Sequence, residues 1–171
     1  MSLIVEDWSG VEDANGYITV AYFKAYHDAR GNDYSAFTDP DDIEVAIVKA
    51  TDYMEILYAD LWKGAVSTDA TTLQLPRSFL YDRKGTLVED WPSDIQKACA
   101  EYAVRALSAE LMPDPVALSD SNNLVRKTTE KVGPIEESIE YSVGSQRNVR
   151  SYPEADRLLK FWLRGQGGVY R

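Results

Sequence analysis

The chain has 171 residues, with 18 Lys+Arg against 28 Asp+Glu, one histidine and one cysteine, and a net charge of −10. This length suits one ordinary domain that buries roughly 70% of its unfolded surface, and a lone cysteine forms no disulfide framework. With His27 and Cys99 alone of their types, and no GxGxxG, neither a nucleophilic hydrolase, nor a zinc site, nor a dinucleotide cofactor is expected, and the chain reads as a non-enzyme.

The charge is unevenly placed. Residues 1–125 carry 9 basic and 22 acidic side chains, whereas residues 126–171 carry 9 and 6. An acidic body repels phosphate, so any anion or acidic partner belongs to the C-terminal quarter. The absence of an 18-residue apolar run and the acidic start MSLIVEDW point to a soluble chain without a membrane span or standard signal.

Leu3-Ile4-Val5 reads as a short edge strand, and Asp13 to Gly16 as a turn. Thr19 is placed to cap a first helix that Gly31 closes, with Val20, Phe23 and Tyr26 on its buried edge. His27, with no second ligand in view, reads as a surface or packing residue.

The stretch Asp39–Gly64 is the longest helical pattern. Ile43, Ile47, Ala50, Met54, Leu57 and Leu61 recur at steps of four and three, which puts them on one stripe. Asp39 suits the N-cap, Pro40 the first helical position and Gly64 the stop, giving a helix of about 36 Å at ~1.5 Å per residue. Its surplus apolar flank, Val45, Val48 and Ile56, is a candidate subunit interface. The acids Asp39, Asp41 and Asp42 lack the spacing of a calcium loop and read as helix-end residues.

Residues 65–91 break the helical pattern. Phe79-Leu80-Tyr81 faces Thr86-Leu87-Val88 across Asp82-Arg83-Lys84-Gly85, which reads as a hairpin turn rather than a phosphate loop. An alanine-rich helix follows from Pro92 to Met112, with Ile95, Cys99, Tyr102, Ala106 and Ala109 in one stripe. Its small residues let a second helix approach closely, so it is expected to pack on the long helix. Residues 113–123 read as a linker, and residues 124–143 as a β-hairpin turning at Gly133-Pro134. Ser151-Tyr152-Pro153-Glu154 has capping-box spacing before a last helix that Gly165 ends. The expected fold is mainly α: a helical body (1–112), a linker (113–123), and a hairpin, C-terminal helix and tail arm (124–171).

The C-terminal segment mixes cations with rings. Arg150, Tyr152, Arg157, Phe161, Trp162, Arg164, Tyr170 and Arg171 are its candidate partner-contact residues. A single-strand binder needs rings in a positive groove, and only this segment offers both.

The order of VEDWSGVEDANGYITVAYFKAYHDARG, ATDYMEILYADLWKG, LPR with YDRKG, the alanine-rich helix, KVGPIEESIEYS and YPEADRLLKFWL resembles a family of tailed-bacteriophage proteins. These are often labelled DnaT-like single-stranded DNA-binding, while their kin resemble head–tail connector, or adaptor, proteins. Leu75 stands where a Trp is frequent in that family. The resemblance implies a virion neck subunit, made in the host cytoplasm, that joins a dodecameric ring beneath the portal protein. Such a ring extends the DNA channel without gripping DNA and receives a tail or stopper component. The alternative it carries is single-strand DNA binding through the basic, aromatic C-terminal segment.

Overall fold

The computed structural model describes residues 2–37, 39–67, 72–113, 127–132, 135–140 and 151–165. The fold is mainly α, in the order α1 (Val20–Asp28), α2 (Pro40–Tyr58), β1 (Ala65–Val66), β2 (Arg77–Ser78), α3 (Ser93–Ser108), β3 (Lys127–Val132), β4 (Ile135–Glu140) and α4 (Pro153–Leu159). It divides into two compact units: Met1–Leu111 with Ser151–Arg171, and Met112–Arg150. The C-terminal helix therefore belongs with the helical body, which differs from the grouping of residues 124–171 as one arm.

In the larger unit, α2 and α3 pack along their stripes. Ile43, Ile47, Ala50 and Met54 are buried with Ile95, Ala98, Cys99, Tyr102, Ala103 and Ala106 in one core. The alanines of α3 permit this close approach, whereas Ala109 lies beyond the helix end and is exposed. Asp39 caps α2 by accepting from Asp41 N at 3.0 Å, with Pro40 in the first turn. The helix ends at Tyr58, earlier than the expected stop at Gly64. Leu61 N turns back to Tyr58 O, and Trp62 then pairs in a single bridge with Leu163. That antiparallel contact draws the chain out of the helix and onto the segment following α4.

Thr19 caps α1 as expected, accepting from Tyr22 N at 3.0 Å. The Leu3–Val5 stretch contributes only one bridge, Val5 to Gly16. The first loop is built around buried Glu6, whose carboxylate accepts from Gly10 N and Val11 N, while Trp91 Nε1 donates to Glu6 O. Trp91 packs edge-on against Trp8 and Tyr17, which joins that loop to the entry of α3.

The hairpin at 80–88 is present: Tyr81 bridges Leu87, Val88 N donates to Leu80 O, and Gly85 N closes the turn on Asp82 O. Ahead of it, β1 and β2 pair antiparallel, Ala65 with Ser78 and Val66 with Arg77. At the start of α4 the capping box does not form. No side chain caps the helix from Tyr152; instead Asp156 reaches back to Tyr152 N at 3.1 Å and Ser151 Oγ at 3.4 Å. Seven residues of helix follow, after which Trp162 N turns onto Leu159 O.

The second unit contains the expected hairpin. β3 and β4 pair antiparallel from Lys127 with Glu140 to Val132 with Ile135. The expected linker at 113–123 and the Gly133-Pro134 turn lie, except for Pro113, outside the described residues. No helix among the described residues is long and apolar enough to cross a membrane.

Candidate nucleic-acid interface

The acidic sequence hides a local concentration of cations. Arg30 follows α1, Lys97 lies in the second turn of α3, Arg83 sits in the 80–88 hairpin and Arg157 on α4. With Tyr26, Leu158, Asp94 and Glu154 they line one shallow depression of about 440 Å³. Four basic groups against two acidic ones leave it electropositive on a chain of opposite sign.

Each cation is positioned differently. Arg30 sits over the Tyr26 ring, its guanidinium carbon 3.6 Å from the centroid, and Nη1 donates to Tyr26 O at 2.9 Å. The Tyr26 hydroxyl donates to buried Glu101, which also pairs with Arg105 at 2.6 Å. Arg83 contacts Asp94 at 3.5 Å, an exposed pair worth little in water. Its guanidinium also lies 5.1 Å from the Phe161 ring centroid. Lys63 Nζ is 4.3 Å from the same centroid and donates to Phe161 O. Phe161 thus carries two cations, each attracted by the negative face of its ring. Arg164 extends the strip, donating from its backbone to Leu61 O and from Nη2 to Gly64 O. Arg77 donates to that same carbonyl at 3.2 Å, and burial draws its pKa down.

Of the residues chosen from sequence, Arg157, Phe161 and Arg164 fall on this strip. Tyr152 and Trp162 are packing residues. Tyr152 sets its ring edge-on against Tyr53 and Tyr102 and donates to Leu111 O, and Trp162 is buried. Arg150, Tyr170 and Arg171 lie outside the described residues. Among the interface candidates, Val45 and Ile56 are exposed, but Val48 is buried at 9% and cannot serve as an open contact. It lies three residues from Val45, which rotates it toward the core side of α2.

Sequence reasoning missed Arg30, Lys63, Arg83 and Lys97. Arg30, Lys63 and Lys97 are single cations in an acidic neighbourhood, and only tertiary packing brings them together with Arg83. Their one signal was the adjacency of Arg83 and Lys84 at a hairpin turn.

The remaining chemistry-bearing groups serve the fold. Burial pushes the Cys99 thiol up to about 12, which removes the thiolate a nucleophile needs. His27 is fully buried, with Nε2 3.1 Å from Ala100 O and Nδ1 2.9 Å from Asn32 Nδ2. Among the described residues no group of three His, Cys, Asp or Glu side chains is placed to hold a metal ion.

A family model described as "Putative DnaT-like ssDNA binding protein" matches residues 1–171. No curated protein and no solved structure matches the chain.

Proposed function

The chain belongs to that DnaT-like ssDNA-binding family, and from this premise we propose that it binds single-stranded nucleic acid along the strip from Arg30 to Arg164. The observation that carries the reading is the pair of cations, Lys63 and Arg83, over the Phe161 ring beside the depression lined by Arg30, Lys97 and Arg157. Cations neutralise phosphates, and an arginine guanidinium is itself a surface on which an unpaired base stacks. The acidic remainder confines binding to this strip and opposes a general grip on duplex DNA. The binding region shifts accordingly, from the C-terminal segment alone to a surface shared by α1, α3, the 80–88 hairpin and α4.

The test is fluorescence anisotropy of a labelled oligothymidylate against the full chain over a salt series. Binding through a few phosphate contacts gives a log–log salt slope of about −0.7 for each contact. Affinity lost on replacing Arg83 and Arg157 with Gln, with a shallower slope, supports the reading. No binding at low salt overturns it.

A second reading, a head–tail connector subunit, is favoured by a different observation. Val45 and Ile56 are exposed apolar residues eleven positions apart on α2, within roughly 20° of one another around the helix. With exposed Lys49 and Asp52 on the face between them, these two apolar points suit a mixed contact with a second copy in a ring, with portal and tail or stopper proteins as partners and DNA passing without specific binding. Electron microscopy of the chain mixed with portal rings tests it: added density beneath the portal supports it, and bare portals count against it.

A further inference from the structure

The strip described above supplies cations, but its rings, Tyr26 and Phe161, are already covered by them. The neighbouring hairpin has the opposite character. Phe79 is 71% exposed and Tyr81 50%, and between them Leu80 is buried and anchors the hairpin to the core. Leu87 faces Tyr81 across the bridge and is also exposed. Exposed apolar side chains that cluster, unlike those scattered singly, mark interaction surfaces. Phe79 adopts φ 57°, a left-handed conformation that costs a non-glycine residue on the order of 1–3 kcal/mol. The backbone on either side is fixed: Val66 pairs with Arg77, Val88 N donates to Leu80 O, and Asp82 N donates to Thr86 O. The rings are therefore held outward by a braced hairpin.

The same hairpin carries Arg83 and Lys84 at its tip. Its one acid in the turn, Asp82, is engaged internally, with Oδ1 accepting from Lys84 N and Thr86 N at 2.8 Å each. Arg83 reaches from this tip to the depression and to Phe161. Two open rings, Phe79 and Tyr81, are thus followed directly by two cations, Arg83 and Lys84, along one braced loop that is continuous with the proposed binding strip. An exposed ring accepts a base face, while an adjacent cation accepts its phosphate; duplex bases, being stacked on one another, cannot use such a ring.

We infer that the hairpin from Phe79 to Leu87 is the base-stacking element of this surface, with Phe79 and Tyr81 taking unpaired bases and Arg83 and Lys84 the flanking phosphates. This rests on the nucleic-acid reading and adds to it a selectivity for single over double strands.

The experiment compares the wild-type chain with Phe79→Gly, Tyr81→Ser and Arg83→Gln, using oligothymidylate and a duplex of equal length. Glycine suits φ 57°, so Phe79→Gly removes the ring without opposing the backbone. The inference predicts that Phe79→Gly and Tyr81→Ser each weaken single-strand binding by at least about fivefold. Their salt slope should stay unchanged, since a ring releases no counterions, whereas Arg83→Gln makes the slope shallower. Wild-type binding that survives both ring substitutions, or that is equal for duplex and single strand, overturns the stacking role and leaves the cationic strip standing. No wild-type binding to any oligonucleotide overturns both readings. A change in sedimentation of Phe79→Gly with unchanged oligonucleotide affinity assigns the ring to a protein contact and overturns the inference.

Discussion

Tyr102 Oη donates a 2.6 Å hydrogen bond to Asp156 Oδ1, tying the third helix to the fourth. Tyr58 Oη lies 3.2 Å from the same oxygen and 3.0 Å from Tyr102 Oη, so α2, α3 and α4 meet at one carboxylate. Its other oxygen holds the entry to α4 through Tyr152 N and Ser151 Oγ. Burial, with Tyr58 and Asp156 nearby, raises the Tyr102 pKa and keeps its proton in place. Because α4 carries Arg157 and leads into Phe161, this junction fixes the position of the proposed strip.

Asp156→Ala should therefore destabilise the body by about 1–3 kcal/mol, since it strips the acceptor from two inward tyrosines. Urea unfolding checks this, and the loss should exceed that of Glu154→Ala, whose contact with Arg105 is exposed.

Gly64 is a second structural pin. Its φ is +74°, and a β-carbon there would sit 2.5 Å from Ser78 O. Gly64→Ala should cost on the order of 1–3 kcal/mol from backbone strain and loosen the carbonyl that Arg77 and Arg164 share. Gly31 also has positive φ but open space around it, so Gly31→Ala should cost less. Thermal melts of the two variants measure the difference.

His27 makes stability depend on pH. An N–H on Nε2 donates to Ala100 O, and a bare Nδ1 accepts from Asn32, which describes a neutral ring. Burial lowers its pKa below 6.5, only partly offset by the bond to Ala100. Below pH 6.5 the unfolded chain then binds a proton that the folded chain refuses. This contribution is complete above 6.5 and declines as the pH falls from there towards the folded pKa. The stability advantage of wild type over His27→Gln should narrow between pH 7.5 and pH 5 in urea titrations; a pH-independent gap contradicts the assignment.

Glu55 acts in the opposite pH direction. Burial raises its pKa above 4.5, against the lowering effect of hydrogen bonds from Tyr17 and Gln74 N. The folded state therefore holds its proton longer, and stability falls as the pH rises from about 4.5 through the folded value. Glu55→Gln should gain stability relative to wild type between pH 4 and pH 7, read from urea midpoints at the two pH values.

The helices were legible in the sequence because local rules decide them. The Ile43–Met54 stripe, the Asp39 and Thr19 caps and the alanines of α3 all act within a few turns. The end of α2 was not legible: the bridge from Trp62 to Leu163 joins residues about a hundred positions apart and outweighs the continued stripe at Leu61. The Ser151–Glu154 spacing misled because Asp156, not Glu154, takes the bonds from Tyr152 N and Ser151 Oγ, while Glu154 accepts from Arg105. The candidate site was legible only at Arg157, Phe161 and Arg164. Its other cations come from the segments following α1 and α2, from α3 and from the hairpin, and no spacing rule links positions that only tertiary packing assembles.

The most direct measurement is the salt dependence of oligothymidylate binding by the full chain, alongside the Arg83→Gln, Arg157→Gln double variant. Measurable low-salt affinity that falls as salt rises, with a shallower slope in the variant, is the predicted result. An unchanged anisotropy for the wild-type chain at low salt would contradict the proposed function.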